Sequence, residues 1–346
     1  MSTHPSVFTE DEVNAFLSYI GLSPTLHQQR YTGDVQKDIH FLTQLVIHTI
    51  STIPYENLSI HYSPTHTVTI VPRDSYAKIV LRACGRGGYC MENSLLFNHI
   101  LCDLNFPVYT APCRPRTRVN GIPQGDYHGQ QHLVNIVTLS DGGRWMIDVG
   151  FGGDGAITPI PLVDCTGTER TYLNLGTQEN RLVRDWIPAQ AHRTEGSKLW
   201  IYQYRNGPEK DWNAFYAFAE VEAMENDFKV ANRFTGSNPE SFQTWTVIAV
   251  KFLRREKEDG SGDAEIHGKR ILFNEVVKEN LGGKTRVVKE CKTDTERVQA
   301  LEDWFGLRLT PEEASAIKGW NTAIGGDGTR IRSGAQSYDH DVWGRR

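Results

Sequence analysis

Cys90 is the residue best placed to act as a nucleophile, and it lies in the stretch RGGYCMEN from Arg86 to Asn93. Leu95, Leu96, Ile100 and Leu104 follow it at helical spacing, which puts the thiol in or near the first turn of a helix. Unpaired backbone N–H groups and the positive end of the helix dipole favour the thiolate there, and the thiolate is the nucleophilic form of cysteine. Gly87 and Gly88 let the backbone turn tightly and leave room for a substrate carbonyl. Most free cysteines are only small buried hydrophobes, so this one needs a base and an orienting group before it can be read as a catalyst.

His132 and Asp148 supply both in one strand register. His132 opens the strand HLVNIVTL, Asp148 lies in RWMIDV, and Ser140-Asp141-Gly142-Gly143 joins the two as a hairpin. A two-residue Asp141-Gly142 loop would turn His132 and Asp148 to opposite faces, because side chains alternate along a strand. A three-residue Ser140-Asp141-Gly142 loop with Gly142 left-handed instead sets Asp148 opposite Val134, diagonal to His132 at roughly 7–8 Å between Cα atoms. Asp148 can then fix the tautomer of His132, and His132 can draw the proton from Cys90. The bland alternative is an ordinary strand histidine and an aspartate capping the turn before Gly150-Phe151-Gly152-Gly153.

The elements that must position these residues fall into groups. Thr9 and Glu12 form a capping-box pattern ahead of Val13, Phe16, Leu17 and Ile20, and predict a first helix closed by Gly21. A second helix fits Val35 to Ser51 and stops before Pro54, and a third fits Asp74 to Cys84. After Phe106-Pro107, short β-branched runs at Val108–Ala111, Leu133–Leu139, Arg144–Val149, Trp200–Tyr204 and Ala214–Val221 predict a barrel or closed sheet. Cys113 to Gln131, with Arg114, Arg116 and Arg118, reads as a long irregular loop whose arginines are ordinarily a solvated surface. Strands at Thr246–Leu253, Lys269–Val277 and Thr285–Lys289, then a helix opened by Thr293 and Glu296, make an α/β unit. Beyond Pro311 a short helical piece leads into NTAIGGDGTRIRSGAQSYDHDVWGRR, which has the polar, glycine-rich character expected of a disordered tail. The expected class is α+β: an N-terminal helical bundle (1–107), a central β-barrel (108–221), a C-terminal α/β lid (222–310) and a C-terminal extension (311–346).

The chain has 346 residues and a net charge of −5, which gives no general footprint for nucleic acid or an anionic membrane. No apolar stretch approaches the ~18 residues of a transmembrane helix, and the N-terminus lacks the build of a signal peptide, so a cytoplasmic protein is expected. The six cysteines show no C-x-x-C and no zinc spacing, which predicts free thiols and no metal site.

With these residues in place, the sequence resembles the arylamine N-acetyltransferases. IPYENL (Ile53–Leu58), RGGYCMEN, GQQHLVNIV, IDVGFGG, NRFTGSNPESF (Asn232–Phe242) and LEDWFGLRL (Leu301–Leu309) match that family in order, from about residue 10 to 310. The resemblance implies a cysteine-protease-like Cys90–His132–Asp148 triad on a bundle, barrel and lid. It also implies a ping-pong reaction: acetyl-CoA or another acyl-CoA acylates Cys90, and an aromatic amine or hydrazine takes the acyl group. By the same resemblance His128, Gly129 and Phe234 would contact CoA, and Gln131 and Phe151 would face the substrate, with no permanently bound cofactor. His128 stands where the family usually has a small hydroxyl residue, and Met91 also departs from the usual neighbour of the cysteine. Some relatives accept acidic donors such as malonyl-CoA, so the three arginines can be asked to serve a donor carboxylate or the CoA phosphates. Similar Cys/His/Asp chemistry would suit a papain- or transglutaminase-like hydrolase, and a binding scaffold with a vestigial triad is the non-enzymatic alternative.

Overall fold

The first helix forms with the cap its sequence implies. In a computed structural model, which describes residues 7–119 and 122–325, α1 (Glu10–Tyr19) starts at Thr9. Thr9 Oγ1 accepts from Glu12 N at 3.3 Å and Glu12 Oε2 accepts from Thr9 N at 2.8 Å. The chain continues through α2 (Pro24–His27) and α3 (Val35–Thr52), which ends at Ile53 before Pro54. A two-residue strand β1 (Tyr55–Glu56) and a single turn α4 (Leu58–His61) follow. The helix expected to run to Cys84 is shorter. α5 (Pro72–Tyr76) passes into a π turn at Ala77–Leu81, which buries Ile79 and Val80 and leaves Leu81 exposed. α6 (Cys90–Asp103) then begins at the expected cysteine.

Nine antiparallel strands curl into a nearly closed barrel. They are β2 (Val108–Val119), β3 (Ile122–Tyr127), β4 (His132–Thr138), β5 (Arg144–Ile147), β6 (Ile160–Pro161), β7 (Tyr172–Leu173), β8 (Glu179–Asp185), β9 (Leu199–Arg205) and β10 (Asn213–Phe218). Their order is β6-β5-β4-β2-β10-β9-β8-β7, with β3 hydrogen-bonded to β2. The segment from Cys113 to Gln131 is therefore no irregular loop: β2 runs on past Cys113 and pairs with β3 as a hairpin. Pro112 and Pro115 lower strand propensity, but each removes only an N–H, and the Pro115 carbonyl still accepts from His128 N at 2.8 Å.

The C-terminal part opens with α7 (Glu225–Ser237) and holds strands β11 (Ile248–Glu256), β12 (Ala264–Phe273), β13 (Val276–Asn280) and β14 (Arg286–Glu290), with α8 (Asp294–Phe305) packed on them. The expected single strand from Lys269 to Val277 is split by a turn in which Asn274 has φ +54°. β1 pairs with β11, so the N-terminal region contributes an edge strand to the C-terminal sheet. The short helical piece expected beyond Pro311 forms as α9 (Pro311–Ser315), and a further correction concerns the stretch that follows it. α9 (Pro311–Ser315) and the turns after it are packed, with Ile317 and Thr322 buried, because Thr322 closes a buried network with His61 and Arg297. The remainder of the expected disordered tail lies outside the described residues.

One apolar cluster joins Phe41, Leu45, Leu96 and Phe97 of the helices to Val108, Val137 and Ile147 of the barrel. Each fully buried side chain of this size stabilises the fold by ~1.5–3 kcal/mol. That shared core holds α6 against β4.

Candidate active site

The two elements carrying Cys90 and His132 are locked together by amides. Asn98 Nδ2 of α6 donates to Asn135 Oδ1 of β4 at 2.8 Å, and Asn135 Nδ2 donates back to Ser94 O at 3.1 Å. Both asparagines are buried, where an unpaired amide would be costly, so the pair specifies one alignment of helix and strand.

The hairpin takes the register that brings His132 and Asp148 to one face. Leu139 N donates to Gly143 O at 2.8 Å and Gly142 has φ +80°, which is the three-residue loop. Asn135 faces Ile147 and Thr138 faces Arg144, so Asp148 follows directly, opposite Val134 in the same register. His132 Nε2 and Asp148 Oδ2 are 2.8 Å apart. Asp148 also serves the turn, since its Oδ1 accepts from Gly150 N at 3.0 Å. The orienting role and the capping role are thus met by two oxygens of one carboxylate.

Cys90, His132 and Asp148 are 5%, 4% and 3% exposed, so their charges act in a medium that screens poorly. The Cys90 thiol donates to the Gln131 carbonyl at 3.5 Å, which places it beside the start of β4 and His132. Burial works against a charge on His132, but the Asp148 carboxylate, its hydrogen bond to the ring and the neighbouring Cys90 outweigh it and raise the imidazole to about 10. The ring is flanked by Phe151 and Tyr216, each with its centroid at 5.2 Å.

The approach of the Asp148 turn to Cys90 requires a glycine. A Cβ on Gly150 would stand 2.9 Å from Cys90 Cα and from Cys90 O. Upstream, Glu56 organises the turn into α6: its Oε1 accepts from Arg86 Nε at 2.8 Å and from Gly87 N at 3.2 Å, and its Oε2 accepts from Leu58 N at 2.6 Å. Burial would raise the Glu56 carboxyl, yet Arg86, Lys78 and these donors hold it down at about 2. Glu313 of α9 reaches Arg86 NH1 at 3.2 Å, so the packed C-terminal segment braces the same turn. Glu56, Arg86 and Gly150 were not singled out as individual residues by the sequence reasoning. The signal for the first two was present, since they sit in IPYENL and RGGYCMEN.

Of the other candidates, two lie against Cys90 and His132. Gln131 is beside Cys90 through its carbonyl, and Phe151 packs against His132, Phe215 and Tyr216. His128 and Gly129 are exposed at the end of the β2–β3 hairpin, where His128 Nε2 is 2.6 Å from Thr117 Oγ1. Phe234 is half-buried on α7. That helix meets the site through Asn232, which accepts from the Tyr89 hydroxyl and donates to Val68 O at 3.0 Å. Among the described residues no group of three or more His, Cys, Asp or Glu could hold a metal ion, and no helix is long and apolar enough to cross a membrane. All six cysteines are free thiols.

A family model described as N-acetyltransferase matches residues 38–314. The chain belongs to the arylamine N-acetyltransferase family. It is accordingly an enzyme of that family. It is 34% identical over 279 residues to N-malonyltransferase FDB2 of Fusarium pseudograminearum, covering 77% of each chain. Among solved structures, the arylamine N-acetyltransferase from Mycobacterium abscessus aligns with a TM-score of 0.70 and 22% identity, over 92% of this chain and 98% of that one. The Mycobacterium marinum arylamine N-acetyltransferase in complex with CoA aligns with a TM-score of 0.66 and 21% identity, over 89% and 99%. These two likenesses are to the fold.

Proposed function

We propose that the protein transfers an acyl group from acyl-CoA to an aromatic amine or hydrazine through a thioester on Cys90. The hydrogen-bonded His132–Asp148 pair beside a cysteine at the start of α6 is the observation that carries this reading. In the first half-reaction the Cys90 thiolate attacks the thioester carbonyl, the bond from carbonyl carbon to CoA sulfur breaks, and the imidazolium of His132 gives its proton to the leaving CoA thiolate. In the second half-reaction the amine nitrogen attacks the Cys90 thioester, neutral His132 takes a proton from that nitrogen, and the Cys90 thiolate leaves. Asp148 holds the ring and favours its charged form. Backbone N–H groups in the first turn of α6 face the developing oxyanion.

The bundle, barrel and lid divide at about 107 and 221 and the lid ends at about 310, so that the cleft lies where the three meet. His128, Gly129 and Phe234 would receive CoA at its rim, and Gln131 and Phe151 the acyl and amine groups. The relative solved with CoA supports CoA as the carrier, the arylamine enzymes support the acceptor, and the N-malonyltransferase supports a donor other than acetyl. The test is a transfer assay: the protein incubated with acyl-CoA and an arylamine should release CoA and N-acylarylamine in equal amounts, and Cys90→Ala should abolish both. A Cys90→Ala protein that still made the amide would refute the mechanism. Hydrolysis of acyl-CoA with no amide formed would favour a hydrolase.

A further inference from the structure

Tyr89, the residue bonded directly to Cys90, is fully buried. Its N–H donates to Glu92 Oε2 at 3.0 Å and its carbonyl accepts from Asn93 N at 3.1 Å, so both backbone groups are tied to α6 itself. The phenol is tied elsewhere: its hydroxyl donates to Asn232 Oδ1 of α7, the one polar link from Tyr89 to another element among the described residues. The direction of that bond is fixed. Asn232 Nδ2 donates to the Val68 carbonyl at 3.0 Å, and a carbonyl can only accept, so Oδ1 is the atom turned to Tyr89. Burial and the Glu92 carboxylate push the phenol well above its ordinary value, which keeps the hydroxyl proton in place to donate. The rest of α7 is seated around this bond. Phe228 belongs to the apolar cluster that contains Tyr89 and Cys90, Ala231 packs against it, and Glu225 Oε1 lies 2.9 Å from His99 Nε2 of α6.

Resting on the Cys90 thioester reading, we infer that Asn232 is a positioning residue for the transfer: by holding the Tyr89 phenol it sets where α6 presents the Cys90 sulfur, and it makes that presentation depend on α7 being seated. α6 is pinned at two places. The Asn98–Asn135 and Asn135–Ser94 bonds fix its middle on β4, and the Tyr89–Asn232 bond fixes its N-terminal end on α7. Cys90 precedes Ser94 by one turn, ~6 Å along the axis at ~1.5 Å per residue. With the N-terminal pin removed, a tilt of ~10° about the middle one swings Cys90 by ~1 Å, the scale of misplacement that costs ~10²-fold in rate. Such a swing changes the line of attack on the acyl carbonyl. It leaves the His132–Asp148 bond intact, because both of those residues belong to the barrel. Chemistry that needs a fixed approach therefore suffers, and chemistry that needs only the thiolate does not.

The test compares two reactions of Cys90 in Tyr89→Phe, which removes one oxygen, and in Asn232→Leu, which removes the amide. Acylation is followed by intact mass after rapid quench, without amine, with whichever of acetyl-CoA and malonyl-CoA acylates the wild type faster. Each variant should be slower by ~10-fold or more. The double variant should be no slower than Asn232→Leu, because both substitutions break the same bond. Alkylation by iodoacetamide, a small electrophile that reads the thiolate and needs no fixed approach, should stay within ~2-fold of the wild type from about pH 5 to 10, with the same profile. A wild-type acylation rate in either folded variant, or losses that multiply in the double variant, would overturn the inference. Alkylation that falls in step with acylation would assign the pair to ionisation of the thiol or to stability and overturn it as well. Circular dichroism identifies folded protein. If one variant does not fold, the other decides by the same comparison, and failure of both to fold would make the pair structural and overturn the inference. Failure of both donors to acylate wild-type Cys90 would instead overturn the transferase reading on which the inference rests.

Discussion

Replacing Asp148 with asparagine keeps the shape of the His132 contact and removes the charge. The carboxylate is what lifts the imidazole from 6.5 to about 10 against its own burial. At ~1.4 kcal/mol per tenfold change that gap corresponds to ~5 kcal/mol, the net of what Asp148 and Cys90 contribute over the opposing burial. In Asp148→Asn only burial and Cys90 act on the ring, and the imidazole should fall by several pH units. The rate of Cys90 acylation near pH 7 should drop by ~10³-fold, or ~4 kcal/mol. The sharper readout is alkylation of Cys90 by iodoacetamide between pH 5 and 10, with the labelled residue identified by mass spectrometry. In the wild type His132 stays protonated up to about pH 10, so its charge beside Cys90 should be constant through neutral pH and add no step of its own to the rate profile there. In Asp148→Asn the ring should lose its proton within this range, and the rate profile should gain a step there. An unchanged pH profile in the variant would refute the role given to Asp148.

Other outcomes follow from the same geometry. Glu56→Ala leaves Arg86 buried without its main partner and should cost ~3–5 kcal/mol, read as a lower urea midpoint, with an unaltered midpoint counting against the brace. Because Glu56 is held down at about 2, its contribution to stability is complete above the ordinary carboxylate range near 4.5 and is lost as pH falls through about 2. His132 has the opposite sign: its contribution is complete below about 6.5 and fades as pH rises through about 10, so Asp148→Asn should lose more stability at pH 6 than at pH 10 in denaturation curves. Gly150→Ala forces a Cβ against the Cys90 backbone and should cost ~1–3 kcal/mol, together with at least a tenfold loss of acylation rate; wild-type acylation in that variant would show that the close approach is not needed.

The site was legible where chemistry coincides with local pattern. Cys90 begins a helix with a clear apolar period, and the Ser140-Asp141-Gly142 loop permits one register that unites His132 with Asp148. Capping at Thr9 and the stop at Gly306, which has φ +69°, were equally local. What escaped depends on contacts distant in sequence. The β2–β3 hairpin was hidden by prolines whose carbonyls still pair, and the inward turn of Arg118 is set by Phe151, Phe215 and Asp154. The packing of the short helix after Pro311 comes from Glu313 on Arg82 and Arg86, and the order at 321–325 from Thr322 on His61, partners more than 200 residues away that a polar composition conceals.

The proposed reaction leaves an acyl group on Cys90 between its two half-reactions. Intact-protein mass spectrometry after incubation with acyl-CoA alone, followed by peptide mapping, tests it directly. A single acyl adduct should form on Cys90 and disappear when an arylamine is added, with the matching amide released. Amide formation with no adduct trapped at any time, or an adduct on another of the six cysteines, would contradict it.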